Sequence, residues 1–430
     1  MTRRDVPRLR AVLLALLVCA AGAPEPGESD LFAQADDMLQ KVSGILDLKV
    51  ERPVRKEMTT RKAVQDYLRR QMSRQLPGRE LHDLGEALQV LGLLPDGYDL
   101  GEGVVDLFSE QVAGFYDPER GIFYVADWVP PALQVPTLAH ELVHALQDQH
   151  YDLSRLLRPT PGEQDADMAF QALVEGQGVA VMTEVMAEPM GLSLQQVGAM
   201  MQALGDPSTM LSASQAMGVE SGALRTAPPF LLSSLMFPYT EGMQFFLAFL
   251  ADHSWAEAGM LFRDPPASTE EILHPEKYFG GRDRPQAVEA KALEEALPAG
   301  WKVFFRERLG EFTLREMFSM HLERDQAAAA AAGWGSDRTL IARTARGERM
   351  LLQRSIWDSP QDAREYFAAW VALARKRHPT ATPLEFADNT LAAWATPAGG
   401  IRIAVDGASV TVVEGVPSEM WARLFPEDAP

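Results

Sequence analysis

The chain has 430 residues, 47% of them hydrophobic and 23% charged, enough for two or three domains with real cores. Its formal charge of −20 repels phosphate backbones and anionic lipid, which sets nucleic acid aside as a partner. Cys19 is the only cysteine, so no disulfide forms within the chain and stability has to come from packing.

Residues 1–23 read as a signal peptide. "MTRRDVPRLR" places Arg3, Arg4, Arg8 and Arg10 ahead of the apolar run "AVLLALLVCAAGA", which ends in small residues and is too short to span a bilayer comfortably. Ala21-Gly22-Ala23 has the form of a cleavage site, with Pro24 directly after it. Cys19 sits in a poor lipoprotein box, because Val18 stands where a small residue is expected. A lipid anchor at Cys19 and a cysteine discarded with the signal are the two readings. Either way the mature chain is expected to be exported (periplasmic, extracellular or lipoprotein) and to have no transmembrane helix.

Residues 24–310 are expected to form a mostly helical domain. Its N-terminal part, 30–105, carries helical spacing in "LFAQADDMLQKVSGIL" and "ELHDLGEALQVLGLL". "GFY" and "GIFYVADW" flank the turn sequence "DPERG", which predicts a hairpin over 113–127. A helix opened by Pro136 follows, then a second over 165–187. Residues 190–225 suit either a helical hairpin or a mobile loop. "PPFLLSSLMFPYTEGMQFFLAFLADHS" reads as a buried core helix interrupted by Pro238. In 311–430, "DRTLIARTA" and "RMLLQRSIW" alternate as strands. A helix with a Ser N-cap and a basic end follows them, and then "TLAAWATPA", "GIRIAVDG" and "SVTVVEG". That order predicts a small β-β-α-β-β domain with a turn at Asp406-Gly407.

The chemistry concentrates in "HELVHALQDQH", residues 140–150. Residues four apart share a helix face, so His140 and His144 can reach one metal ion. Glu141 lies one step round the helix, where it can hold a water and take its proton. Leu138, Leu142, Ala145 and Leu146 form the opposing apolar stripe. Two residues compete to be the third ligand. His150 has metzincin-like spacing, but Gln147 stands where that pattern needs a glycine to turn the chain out of the helix. Glu175, in "ALVEGQG", shares a helix face with Met168, Ala172, Val179 and Met182. A carboxylate there is costly to bury unpaired. Gly176 and Gly178 beside it predict a close approach by another helix.

"HELVH" followed by "ALVEGQG" resembles the gluzincin group of zinc metallopeptidases over roughly residues 110–180. "SEQVAGFYDPERGIFYV", "FPYTEGMQFF" and "STEEILHPEKY" resemble exported bacterial metallopeptidase-like proteins. The resemblance implies an α+β zincin-like domain with its zinc core at 110–185, in which His140, His144 and Glu175 hold Zn2+ and Glu141 is the general base. It implies a peptide or protein substrate, whose backbone would pair with an edge strand such as "GIFYVADW". Tyr239 and His274 are the candidates for stabilising the oxyanion. Glu241 is read as an acid at the edge of the core. Val179 replaces an Asp found in some gluzincins, and Asp148 or Asp167 would have to orient a histidine instead. The rival reading is a non-catalytic exported or envelope-attached protein with a structural zinc site.

Overall fold

The computed structural model describes residues 28–76, 79–128, 131–204, 222–289, 291–295, 297–387, 390–417 and 420. The segment read as a signal peptide, with Cys19, lies outside the described residues, as does 205–221 within the segment read as a hairpin or a loop. The chain mixes helices with two sheets, a small one near the histidines and a seven-stranded antiparallel one near the C-terminus. No described helix is long and apolar enough to cross a membrane.

The small sheet has the order β1-β3-β2, with β1 at Arg55–Thr59, β2 at Gly114–Asp117 and β3 at Ile122–Ala126. β2 and β3 are the expected hairpin. Asp117 Oδ1 accepts the Glu119 and Arg120 backbone N–H groups, and Gly121 closes the turn at φ 64°. β1 was not expected from the sequence. Its residues "RKEMT" are mostly solvent-facing and show no apolar alternation. It pairs in parallel with β3 from Arg55↔Ile122 to Thr59↔Ala126. β3 is therefore the central strand, and its edge is not free for a substrate as the sequence suggested. The edge strand nearest the histidines is β2, and its Tyr116 N–H is already taken by Glu141.

The histidine helix spans Pro131–Tyr151 and the Glu175 helix Gln164–Ala187. Pro136 lies inside the first rather than opening it. Leu138, Leu142, Ala145 and Leu146 are buried in an apolar cluster with Leu39 of helix Glu28–Leu46, Phe123 of β3 and Val181 of the Glu175 helix. The Glu175 helix is buried on every side from Ala169 to Val181, so it is a central element and not a surface one. Helix Pro229–Phe249 crosses it and runs unbroken through Pro238. The crossing is backbone on backbone: a Cβ on Gly242 would lie 2.1 Å from the Ala172 carbonyl oxygen, and one on Gly176 would lie 2.2 Å from Gly242 C.

The large sheet has the order β4-β5-β6-β10-β9-β8-β7: Lys302–Glu307, Trp334–Arg343, Arg349–Trp357, Ser409–Val416, Gly399–Asp406, Leu391–Thr396 and Thr382–Ala387. The strand sequences expected from alternation are all strands, with three of them after the helix and not the two of a β-β-α-β-β order. β4 and β7, one at each edge, are additional. "KVFFRE" lacks strict alternation and β7 carries Pro383, so neither gave a clean pattern. The sheet thus begins ahead of position 311. Helix Pro360–Arg377 packs on it through Tyr366, Phe367 and Trp370, with Ser359 Oγ as the expected N-cap. Gly407 makes the expected turn at φ 58°. One apolar core runs from Val64 through Phe246 and Phe312 to Trp357 and Val412, so the helices and the large sheet share a single interior.

Candidate metal centre

His140, His144 and Glu175 meet between the two buried helices, with one ligand atom from each lying within 4.8 Å of the others. All three are fully buried, and so is Glu141. His140 Nε2 lies 3.1 Å from Glu175 Oε2 and 2.8 Å from His144 Nε2, while His144 Nε2 and Glu175 Oε2 are 3.5 Å apart. The approach depends on Gly178, where a Cβ would sit 2.6 Å from His140 Cε1. Each of the two glycines beside Glu175 thus has its own neighbour. Gly176 admits helix Pro229–Phe249, and Gly178 admits the imidazole.

The hydrogen bonds decide which atoms face inward. Gln147 Nε2 donates to the Val174 carbonyl and to Gln177 Oε1, at 3.1 and 2.9 Å. A carbonyl only accepts, so the amide orientation of Gln147 is settled, and Gln147 Oε1 must accept from His144 Nδ1 at 2.7 Å. His144 Nδ1 therefore carries the proton, and its Nε2 presents a lone pair to the site. Glu175 Oε2 also presents lone pairs. A single proton on His140 Nε2 cannot point at both. Three acceptor atoms in a closed space form a group that could hold a cation.

The donor set suits zinc. Tetrahedral zinc with bonds of about 2.0–2.1 Å separates its ligand atoms by about 3.3 Å, and the observed separations of 2.8, 3.1 and 3.5 Å lie within about half an ångström of that. Burial, and then the repulsion that a protonated His144 would exert, pushes the His140 pKa down to about 4, which favours the neutral imidazole that a ligand needs. Burial works against ionisation of Glu175, but the two imidazoles outweigh it and hold the carboxyl below its ordinary value. Burial, and then the charge of Glu175, raises Glu141 well above the ordinary carboxyl range. Glu141 Oε2 accepts the Tyr116 backbone N–H of β2 at 2.8 Å, and Oε1 has no hydrogen-bond partner.

The other sequence candidates separate clearly. The histidine helix continues past Gln147, and the chain turns out of it only at Asp152, at φ 57°. His150 is carried away from the centre and bonds the Lys49 carbonyl oxygen at 2.8 Å. Tyr239 is buried beside the site, its ring centroid 6.1 Å from that of His140. His274 instead faces Glu311, at 2.9 Å. Glu241 stays half-buried on helix Pro229–Phe249 and is raised by burial, opposed by the charge of Arg315.

Neither acid expected to orient a histidine does so. Asp148 Oδ2 accepts the Tyr116 hydroxyl and Arg52 Nη2, each at 2.9 Å, and Asp167 caps the Thr160 N–H. Gln147 has that role for His144, with Gln177 behind it. The signal was in the sequence: Gln147 sits three residues after His144, on the same helix face.

Two other acidic groups resemble metal sites, His82–Asp83–Glu86 and Glu270–Asp283–Asp358. Arg343 already occupies the first, and Lys277 the second.

A family model described as a domain of unknown function (DUF8575) matches residues 302–423, the span of the large sheet and its helix, and leaves the metal centre outside. No curated protein and no solved structure matches the chain.

Proposed function

We propose that the protein is a zinc-dependent peptidase, with His140, His144 and Glu175 as metal ligands, Glu141 as general base and a zincin-like fold around them. The observation that carries this reading is the convergence of three acceptor atoms that share at most one proton, beside a carboxylate with one oxygen held and one free. Zinc held there would polarise a peptide carbonyl and make a water molecule acidic at about pH 7.

The chain's own residues supply the rest. Tyr116 N–H fixes Glu141 Oε2, so Oε1 is the oxygen that takes the proton of the attacking water. As the C–N bond breaks, the same carboxyl delivers that proton to the leaving amine. The buried ring of Tyr239 is the nearer candidate to support the oxyanion. The substrate is proposed to be a peptide or protein met after export, which the basic start and apolar run of residues 1–23 support.

One observation favours the rival reading of a structural zinc site. All four central residues are fully buried, and neither the cavity beside β4 nor the one beside His150 reaches them. Catalysis therefore requires the site to open. Glu141→Gln separates the two readings. The amide holds water but accepts no proton, so zinc content should stay unchanged while casein cleavage falls by about 10²–10⁴-fold. Cleavage unchanged in the variant would remove Glu141 from its role. A zinc-loaded wild type that cleaves nothing in a broad peptide library would establish the structural reading.

A further inference from the structure

We propose that the free edge of β4 and the cavity beside it form a peptide-binding site for an extended segment with apolar side chains at alternate positions and an acidic end. The proposal is independent of the metal centre. β4 is, among the described residues, the terminal strand of the large sheet and pairs only with β5. Among the described residues, Lys302–Arg306 make no backbone–backbone hydrogen bond on the side away from β5. The cavity, about 1070 Å³, is lined by every residue from Lys302 to Glu307. Successive side chains of a strand point to opposite faces, so a void against one face would meet only alternate residues. The void meets all six, and Arg343 of β5 and Arg349 of β6 besides, so it lies over the helix-facing side of the sheet as well as along the β4 edge, whose far end is closed by the Arg308 N–H bond to the Gly162 carbonyl.

The opposite wall is apolar. Leu88, Leu107, Phe108, Leu231 and Leu235 come from helices Glu80–Val90, Leu100–Gln111 and Pro229–Phe249. An added strand would pair its backbone with β4 and place every second side chain against that wall. An acyl chain would fill the wall but leave the strand edge unpaired, which favours a peptide.

The rim selects its charge. The lining holds Arg79, Lys302, Arg306, Arg343 and Arg349 against Glu80, Asp83, Glu86 and Glu307, and every one of these cations except Lys302 is ion-paired. Lys302 is exposed and has no ion-pair partner among the described residues. It is the cation available to an acidic end. The register shift at Phe304 bends the strand and keeps the pairing short, which suits reversible capture over aggregation.

The test uses the full chain and the peptide acetyl-Glu-Val-Thr-Val-Thr-Val-Lys-amide with fluorescein on the Lys side chain. Saturable binding by anisotropy is expected, with slowed hydrogen exchange in the fragment containing residues 302–307. N-methylation of two alternate amides, which removes two backbone donors, should weaken binding about tenfold. Ser234→Phe should weaken it by a similar factor. Ser234 lines the cavity and its Oγ has no hydrogen-bond partner, so the larger side chain enters the void. If that variant fails to fold, the N-methyl comparison and the exchange measurement on the unaltered chain still decide. Affinity weaker than about 1 mM, equal binding of the N-methylated peptide, or displacement of the peptide by dodecanoate without any change in β4 exchange would each overturn the proposal.

Discussion

Gln147 Oε1 lies 2.7 Å from His144 Nδ1, and the same side chain donates to the Val174 carbonyl one residue before Glu175. One neutral amide thus sets the tautomer of one of the two clustered imidazoles and ties its helix to the helix carrying the carboxylate. Replacing Gln147 with Ala frees His144 to rotate and leaves its N–H buried without a partner. Zinc affinity, measured by competition with a chromophoric chelator, should fall by about 10–100-fold. Glu should restore more affinity than Ala, since its carboxylate still accepts the Nδ1 proton. Wild-type affinity in the Ala variant would remove Gln147 from this role.

The proposal of Glu175 as third ligand rests on helix continuity. His150 could turn back only if the chain broke near Gln147, yet the helix runs on to Tyr151. Glu175→Ala should therefore lose most bound zinc, while His150→Ala should keep about one ion per chain. Elemental analysis of the two purified variants checks this, and the opposite pattern would place the ion on His150.

What was legible in the sequence follows the strength of local signals. His140, Glu141 and His144 were legible because helical spacing alone brings them to one face. Glu175 was legible because a buried acid between glycines has few explanations, and Gly176 and Gly178 do face close neighbours. β1 was not legible, since an exposed, charged edge strand has no apolar alternation to betray it. Its absence from the sequence reading made β3 look like an edge. The orienting role of Gln147 was hidden by reading that position only for the glycine it lacks.

Acidity should tune stability through Asp165. It is fully buried, its Oδ1 accepts the Thr269 backbone N–H, and its Oδ2 has no hydrogen-bond partner. Burial raises its pKa to about 7, against the usual carboxyl value of about 3.9, and the charge of Asp337 adds to the rise. A raised carboxyl pKa means that the folded state prefers the proton. Its contribution is therefore fully present below about pH 4 and is lost as pH rises towards about 7, by an amount on the order of a few kcal/mol. Asp165→Asn keeps an acceptor for Thr269 but cannot ionise. Urea midpoints at pH 5 and pH 8 should fall further apart in the wild type than in the variant. Equal differences in the two proteins would show that Asp165 does not titrate in this window.

Gly242 tests whether the crossing of helix Pro229–Phe249 over the Glu175 helix is as tight as its geometry implies. A Cβ there would meet the Ala172 carbonyl oxygen at 2.1 Å and the Gly176 Cα at 2.9 Å, and both are backbone atoms that no side-chain rotation can move. Gly242→Ala must push the helices apart, at a cost of about 1–3 kcal/mol. Because Gly176 adjoins Glu175, the shift also moves the carboxylate relative to the histidines, so zinc affinity should fall with stability. Gly44→Ala is the matched control. It lies in helix Glu28–Leu46, far from the crossing in sequence, with nothing within 4 Å of its would-be Cβ, and should stabilise the chain by about 0.5–1 kcal/mol through helix propensity alone. Thermal melts and chelator competition on both variants read the two effects separately. If Gly242→Ala matched Gly44→Ala in stability and zinc affinity, the helices would not be in backbone contact, and the placement of Glu175 would need another cause.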